Sequence, residues 1–102
     1  MPRKSVLTSK LASEVELLER HVNMLKAIRE QEPIGIIRLS ELLDFPQHKV
    51  RYSLRILEQE GLIRPSPEGA ITTEDFEPFL EHLREFLDSL NRTMVEIRDS
   101  IQ

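Results

Sequence analysis

The chain has 102 residues, a formal net charge of −4 and no cysteine. This length suits one domain with helical extensions, and the lack of cysteine excludes disulfides, thiolate metal ligands and thiol nucleophiles. No apolar run approaches the ~18 residues that a membrane span needs, so we expect a soluble, cytoplasmic protein that contacts no membrane.

Charge is distributed unevenly along the chain. Residues 46–67 carry four bases and two acids, whereas residues 68–102 carry three bases and nine acids. Within the basic segment, residues 46–55 (PQHKVRYSLR) contain no acid at all. A polyanion would therefore meet one face of the molecule and not its whole surface.

The first predicted element is a long helix. We expect Thr8 or Ser9 to cap its start and Pro33 to end it near Gln31. Its apolar residues recur every three or four positions, which is the helical period. They are Leu11, Val15, Leu18, Val22, Leu25 and Ile28.

A short second helix is predicted over Ile36–Leu43. Gly35 is an acceptable N-cap, and the apolar residues of this segment share one face. Asp44 follows where the chain must turn, and aspartate tolerates the left-handed conformation better than most residues. Phe45 is expected to enter the core.

The third predicted helix spans residues 46–60 and contains the basic segment. Val50, Leu54 and Leu57 form its buried face on a helical wheel, and Gly61 ends it in a left-handed conformation. The side chains that point away from the core are mostly basic or polar. They are Gln47, His48, Lys49, Arg51, Tyr52 and Arg55.

A small hairpin should follow, with strands at 62–64 and 70–72 and a turn at 65–69. The last helix comes next, capped by Thr72 or Thr73. Pro78 predicts that its first turn is irregular or that the regular helix starts at the proline.

The last helix has the strongest periodicity in the chain. Its apolar residues step alternately by four and three, as in a coiled-coil seam. We expect this seam to form a homodimer, and the stripe of the first helix could join it in a four-helix bundle. The dimerisation residues are Leu80, Leu83, Leu87, Leu90, Met94, Ile97 and Ile101, preceded on the same face by Phe76.

The segment EPIGIIRLSELLDFPQHKVRYSLRILEQEGLI resembles the helix-turn-helix core of winged-helix transcription regulators. It looks closest to a group of small predicted archaeal regulators that carry HKVRYSLR.LE..GLI. The resemblance covers about residues 21–75 and implies that residues 46–60 are the recognition helix and residues 62–72 the wing. We therefore expect a mostly α (α+β) winged helix-turn-helix fold, with a two-stranded wing between long terminal helices.

This interpretation divides the chain into three parts. Residues 1–20 are an N-terminal arm and the start of helix 1, residues 21–75 are the winged domain, and residues 76–102 are the dimerisation helix. The function it implies is that of a transcription regulator, a homodimer that binds double-stranded DNA sequence-specifically.

The predicted DNA contacts follow from side-chain chemistry. Arginine pairs with guanine and glutamine with adenine, whereas Lys49 and Arg51 are better placed for the phosphate backbone. The wing tip carries Glu68 and no base, so the wing would rely on Arg64, and the helix and the N-terminal arm would do most of the binding. The full predicted set is Gln47, His48, Lys49, Arg51, Tyr52, Arg55 and Arg64.

Two other functions remain open. The first is a winged-helix module for protein–protein interaction within a larger complex, and the weaker one is a scaffold built around the coiled coil. Catalysis is not expected, because no phosphate loop, cysteine or nucleophile–base set is present. We expect no cofactor or metal. His21 is interpreted as a partly buried surface histidine, and His82 as a solvated residue of the last helix. The operator, the target genes and any small-molecule effector stay undetermined.

Overall fold

The computed structural model describes residues 5–101. Within that range the chain forms four helices and one hairpin, and none of these helices combines the length and apolar character that crossing a bilayer requires. The elements are α1 (Val6–Gln31), α2 (Ile36–Leu43), α3 (Gln47–Gln59), β1 (Ile63–Ser66), β2 (Gly69–Thr72) and α4 (Phe76–Ser100). Residues 1–4, which belong to the expected N-terminal arm, lie outside the described residues.

Helix α1 begins earlier than its sequence suggested. Ser5 is the N-cap, and its side chain accepts a hydrogen bond from the Thr8 backbone N–H at 3.4 Å. The cap predicted at Thr8 or Ser9 is therefore wrong, because the helix already includes Val6 and Leu7, which are exposed. The end at Gln31 is as predicted.

The two halves of α1 differ in burial. Met24, Leu25 and Ile28 are completely buried in the C-terminal half. In the N-terminal half, Leu11 and Val15 are 56% and 52% exposed, although they lie on the predicted stripe. The winged domain therefore covers only the C-terminal half of this helix.

Helices α2 and α3 form the expected helix-turn-helix. α2 has the predicted bounds and Gly35 as N-cap, and Asp44 has φ 57° and ψ 43°, the left-handed conformation that turns the chain. α3 begins at Gln47 with Pro46 as N-cap. At its other end Gly61 (φ 75°) donates to the Glu58 carbonyl and Leu62 donates to the Leu57 carbonyl, each at 3.0 Å, which is a Schellman C-cap.

The wing hairpin is longer and its turn tighter than predicted. β1 extends to Ser66 and β2 starts at Gly69, so that only Pro67 and Glu68 form the turn. Pro65 is tolerated in β1 because its partner Ala70 directs both backbone groups to the other side. The Ala70 N–H donates to the Ile34 carbonyl at 2.8 Å, and the Ile34 N–H donates to the Ala70 carbonyl at 3.2 Å.

A polar cluster holds the wing to the end of α1. Glu32 Oε1 accepts hydrogen bonds from the Thr72 backbone N–H at 2.7 Å and from the Thr72 hydroxyl at 2.8 Å. Arg29 also donates to the Thr72 hydroxyl, at 3.0 Å. The bond from the Thr72 backbone is the main reason that the pKa of Glu32 lies below its usual value.

Helix α4 starts at Phe76 and not at Pro78. A proline in the first turn is tolerated, because its missing N–H would have no partner within the helix. The cap predicted at Thr72 or Thr73 is not formed, since Asp75 is the N-cap. Thr73 instead donates its hydroxyl to the Gly61 carbonyl at 2.6 Å and accepts the Asp75 N–H at 3.3 Å.

Only the first turns of α4 pack on the domain. Phe76 is buried under the Arg29 guanidinium, which lies 4.7 Å from the ring centroid, and Phe79 and Leu80 contact the core. Farther along the seam most residues are exposed, from 41% at Leu87 to 78% at Ile101, and Leu90 is half-buried. The outer part of α4 is therefore an amphipathic helix whose apolar side faces solvent.

The fold is a mostly helical winged helix-turn-helix with a two-stranded wing and long flanking helices, as the sequence predicted. Its core is formed by α1, α2 and α3, with side chains from the wing and the start of α4. The buried apolar residues are Met24, Leu25, Ala27, Ile28, Ile34, Leu39, Val50, Leu57, Leu62, Ile63 and Phe76.

Gly69 is required where the wing meets Ile34. Its φ is +137°, and a Cβ added there would lie 2.5–2.8 Å from the Ile34 backbone. We expect Gly69→Ala to lower the free energy of unfolding by about 2–3 kcal/mol through backbone strain and this clash. Gly35→Ala, where an added Cβ meets nothing within 4 Å, is the matched control and should cost at most about 1 kcal/mol. Urea titration of both variants measures the difference, and equal losses would contradict the prediction.

Candidate nucleic-acid interface

Helix α3 presents its basic side to solvent because its opposite side is buried. Val50 and Ser53 are completely buried and Leu57 is 3% exposed. The seven residues predicted to contact DNA are consequently all exposed, six on α3 and Arg64 on β1. The structure shows where they lie and leaves their role as a prediction.

The α2 side of this surface brings Gln47 and Arg51 together. Arg51 Nη2 lies 3.5 Å from Gln47 Oε1, to which it donates. Both side chains line a shallow depression with Arg38 and with Ile37, which is 64% exposed. Arg38 was not among the predicted site residues, because its closeness to α3 depends on how α2 crosses it. An exposed base next to the buried Leu39 was the only signal in the sequence.

On the side of α3 that faces the wing, the acidic residue Glu58 lies close to Arg55. Arg51 and Arg55 line one depression together with Glu58. Glu58 also lines the groove of about 270 Å³ between α3 and the wing, which includes Arg64. Along α3 the surface is therefore free of acids from Gln47 to Arg55. Glu41 of α2 borders it beside Arg38, and Glu58 separates it from Arg64.

Tyr52 lies at the α1 edge of the surface and contacts His21. The two ring centroids are 5.9 Å apart with an interplanar angle of 37°. The tyrosine is still 40% exposed, so one edge of its ring faces solvent. His48 and Lys49 lie in the first turns of α3 and are exposed.

A buried hydroxyl connects α3 to α1 below Tyr52. Arg20 Nε donates to Ser53 Oγ at 3.0 Å, and His21 Nδ1 lies 2.8 Å from the same oxygen. Because Arg20 already donates to this oxygen, the hydroxyl can give its own hydrogen to a neutral His21. Burial, followed by the charge of Arg20, places the pKa of His21 below its usual value. The sequence placed His21 correctly as partly buried but did not identify Ser53.

The described residues show no metal site. Within residues 5–101, no group of three or more His, Asp or Glu side chains is placed to hold a metal ion.

An apolar cleft of about 160 Å³ lies on the other side of α3, between α1 and the start of α4. It is lined by Leu18, Val22, Ile56 and Phe79 among others.

Comparison with known proteins bears on the fold. No protein-family model matches the chain, and no curated protein matches it. One similar solved structure is the activation domain of the phage T4 transcription factor MotA. Its TM-score is 0.58 at 19% sequence identity, and the alignment covers 76% of this chain and 82% of that chain. At this identity the likeness concerns the fold alone.

The environment of His21 predicts a pH dependence of stability. The folded chain binds this proton less tightly than the unfolded chain, whose histidine pKa is about 6.5. The free energy of unfolding should therefore be highest above that pH and fall as the pH drops through the lowered pKa of the folded state. His21→Gln, which keeps a polar side chain near Ser53, should remove this part of the slope. Denaturation of both proteins from pH 5 to 8 measures it, and parallel curves would contradict the assignment.

Proposed function

We propose that this protein is a transcription regulator that binds double-stranded DNA sequence-specifically as a homodimer. The observation that carries the proposal is the exposed, acid-free surface of α3 between Gln47 and Arg55. A helix that presents basic and amide side chains from a rigid domain can enter the major groove of DNA, which admits one α-helix.

Two residues are suited to reading base edges. Arg55 lies near the middle of the exposed side of α3, opposite the buried Val50, Ser53 and Leu57. An arginine there can bind guanine O6 and N7 with two hydrogen bonds, and Gln47 can bind adenine in the same way. Their fixed positions on the helix would set the spacing of the bases read.

Other basic side chains around α3 are suited to contacting the phosphate backbone of DNA. Lys49 and Arg38 flank the reading residues on opposite sides, and Arg64 extends from the wing. Such contacts position a protein on the duplex and make its affinity depend on salt. Glu58 and the wing-tip Glu68 oppose phosphate at the wing, so binding would rest mainly on the helix-turn-helix.

The similarity to a domain of a transcription factor agrees with a role in transcription. That domain is an activation domain, which keeps a second candidate function in view. That candidate is a winged-helix module that binds other proteins. It is favoured by the apolar lining of the groove between α3 and the wing, which has Ile36, Leu54 and Pro65 beside Glu58.

The homodimer part of the proposal depends on α4. Beyond Leu83 the seam residues Leu87, Met94, Ile97 and Ile101 are 41–78% exposed. Leaving an apolar stripe in water costs roughly 25 cal/mol per Å², and pairing with a second copy removes that cost. A two-fold dimer would present two recognition helices, so the operator should be an inverted repeat.

Substitutions on α3 separate base reading from phosphate binding. Arg55→Ala should weaken binding to the selected site by about 1–3 kcal/mol and relax the preference at one position. Lys49→Ala should weaken all duplexes alike and reduce the dependence on salt. Arg92→Ala, on the outer surface of α4, is the control and should change neither. Salt-titrated binding after site selection from random duplexes measures these effects. If no duplex binds, the interaction module becomes the better function.

Removing the outer part of α4 should abolish dimerisation. A chain truncated after Leu83 loses the exposed seam but keeps Phe76, Phe79 and Leu80, which pack on the domain. Sedimentation equilibrium at micromolar concentration should give a dimer for the intact chain and a folded monomer for the truncated one. A monomeric intact chain, or an equally dimeric truncated one, would contradict the dimer model.

A further inference from the structure

The residues along one flank of the α4 seam have a pattern that selects one way of pairing. The residues of this flank recur every seven positions, one per heptad, and are Glu77, Arg84, Asn91 and Arg98. All four are exposed. In a two-stranded coiled coil the residues beside the seam decide partner orientation, because they face each other across it.

We propose that α4 pairs antiparallel with α4 of a second copy, in the register that sets Leu87 opposite the partner's Leu90. This inference rests on the homodimer of the proposed function and adds its orientation and register. In this register Leu83 faces the partner's Met94, and the partner's Ile97 comes level with Leu80, which also packs on its own domain. The two-fold axis then passes between positions 88 and 89.

Charge complementarity favours this register over its neighbours. An antiparallel pair brings the same flank of both helices together, which places Glu77 beside the partner's Arg98 and Arg84 beside the partner's Asn91. Within its own chain Glu77 lies 3.8 Å from Arg29 and Arg98 lies 3.4 Å from Asp99. Both of these pairs are exposed, so the contact with the partner would add to them. Moving the register by one heptad, so that Leu90 faces the partner's Met94, would instead place Arg84 beside the partner's Arg98. A parallel pair would place Arg84 beside the partner's Phe79 and form no ion pair along the seam.

The cleft at the start of α4 supports the same arrangement. In this register the far end of the partner's α4 reaches that cleft. The partner's Ile101 then comes level with Phe76, which is itself buried in the domain. Ile97 and Ile101 are otherwise 56% and 78% exposed. The cleft of about 160 Å³ lined by Leu18, Val22, Ile56 and Phe79 is large enough for one aliphatic side chain. It continues into the exposed stripe of α1 at Val15 and Leu11.

The size of the surface is consistent with a stable dimer. The exposed seam and Phe86 on its other flank, counted with the free stripe of α1, present an apolar area on the order of the ~800 Å² that each partner contributes to a standard interface. The two domains would lie at opposite ends of the pair, with the two Phe76 residues about 38 Å apart at a 1.5 Å rise per residue.

Disulfide trapping tests the register directly, because the chain contains no cysteine of its own. Leu83→Cys and Met94→Cys chains are prepared separately, mixed, allowed to exchange subunits and mildly oxidised. Each variant oxidised alone and a mixture of Leu90→Cys with Met94→Cys serve as controls. We expect covalent dimers only from the mixture of Leu83→Cys with Met94→Cys. Self-crosslinking of either single variant (a parallel pair), crosslinking of the control mixture (the shifted register), or no crosslinking at all would overturn the proposal.

A charge exchange gives an independent test that does not alter the seam. Arg98→Glu should raise the dimer dissociation constant about three- to tenfold, and so should Glu77→Arg, which also removes the ion pair with Arg29 of its own chain. The double variant carries the same loss within the chain, so it should dimerise more tightly than Glu77→Arg alone. Arg92→Glu, on the outer surface, should leave it unchanged. A double variant that dimerises no better than the single ones would overturn the pairing.

These results separate the two proposals. Crosslinking in another register overturns the pairing and leaves the DNA-binding regulator intact. The expected crosslinks in a protein that binds no duplex overturn the DNA-binding function and leave the pairing intact.

Discussion

The packing of the C-terminal half of α1 against α3 orients every exposed surface of this molecule. Met24, Leu25 and Ile28 are excluded from water on one side of this contact, and Val50 and Leu57 on the other. Because close-packed side chains leave little freedom for a helix to rotate about its axis, this contact determines which residues of α3 face outward. The basic surface is a consequence of where the apolar residues are buried.

Hydrogen bonds between α3 and α1 also restrict the rotation of α3 about its own axis. Burying the Ser53 hydroxyl would cost free energy without partners, and Arg20 and His21 of α1 provide them. A rotation of α3 would leave that hydroxyl unpaired. The wing is held near the other end of α1, where Glu32 binds Thr72 and the Ile34 backbone pairs with Ala70. Helix α3 and the wing are therefore both positioned relative to α1.

Helix α4 differs from α2 and α3 because only part of it packs on the domain. Its first turns are held by the domain, whereas its outer part has an apolar seam on one side and mostly acidic residues on the other. The acidic side disfavours contact with DNA and with the acids of another copy, so the seam is the surface on which α4 can associate. In the proposed dimer a second copy covers this seam, and the charges beside the seam restrict how that copy lies.

The local features of the chain could be predicted from the sequence alone. The bounds of α2, the left-handed Asp44 and Gly61, the exposed face of α3 and the period of α4 all depend on residues within one or two turns of one another, where steric and helical rules apply directly. Contacts between distant segments were decided only by the tertiary structure. Ile34, some 36 residues away, pairs with Ala70 of the wing. Arg38 joins the candidate interface, Ser53 becomes a buried link to α1, and Leu11 and Val15 stay exposed because the crossing of helices, which no local pattern encodes, sets which surfaces meet.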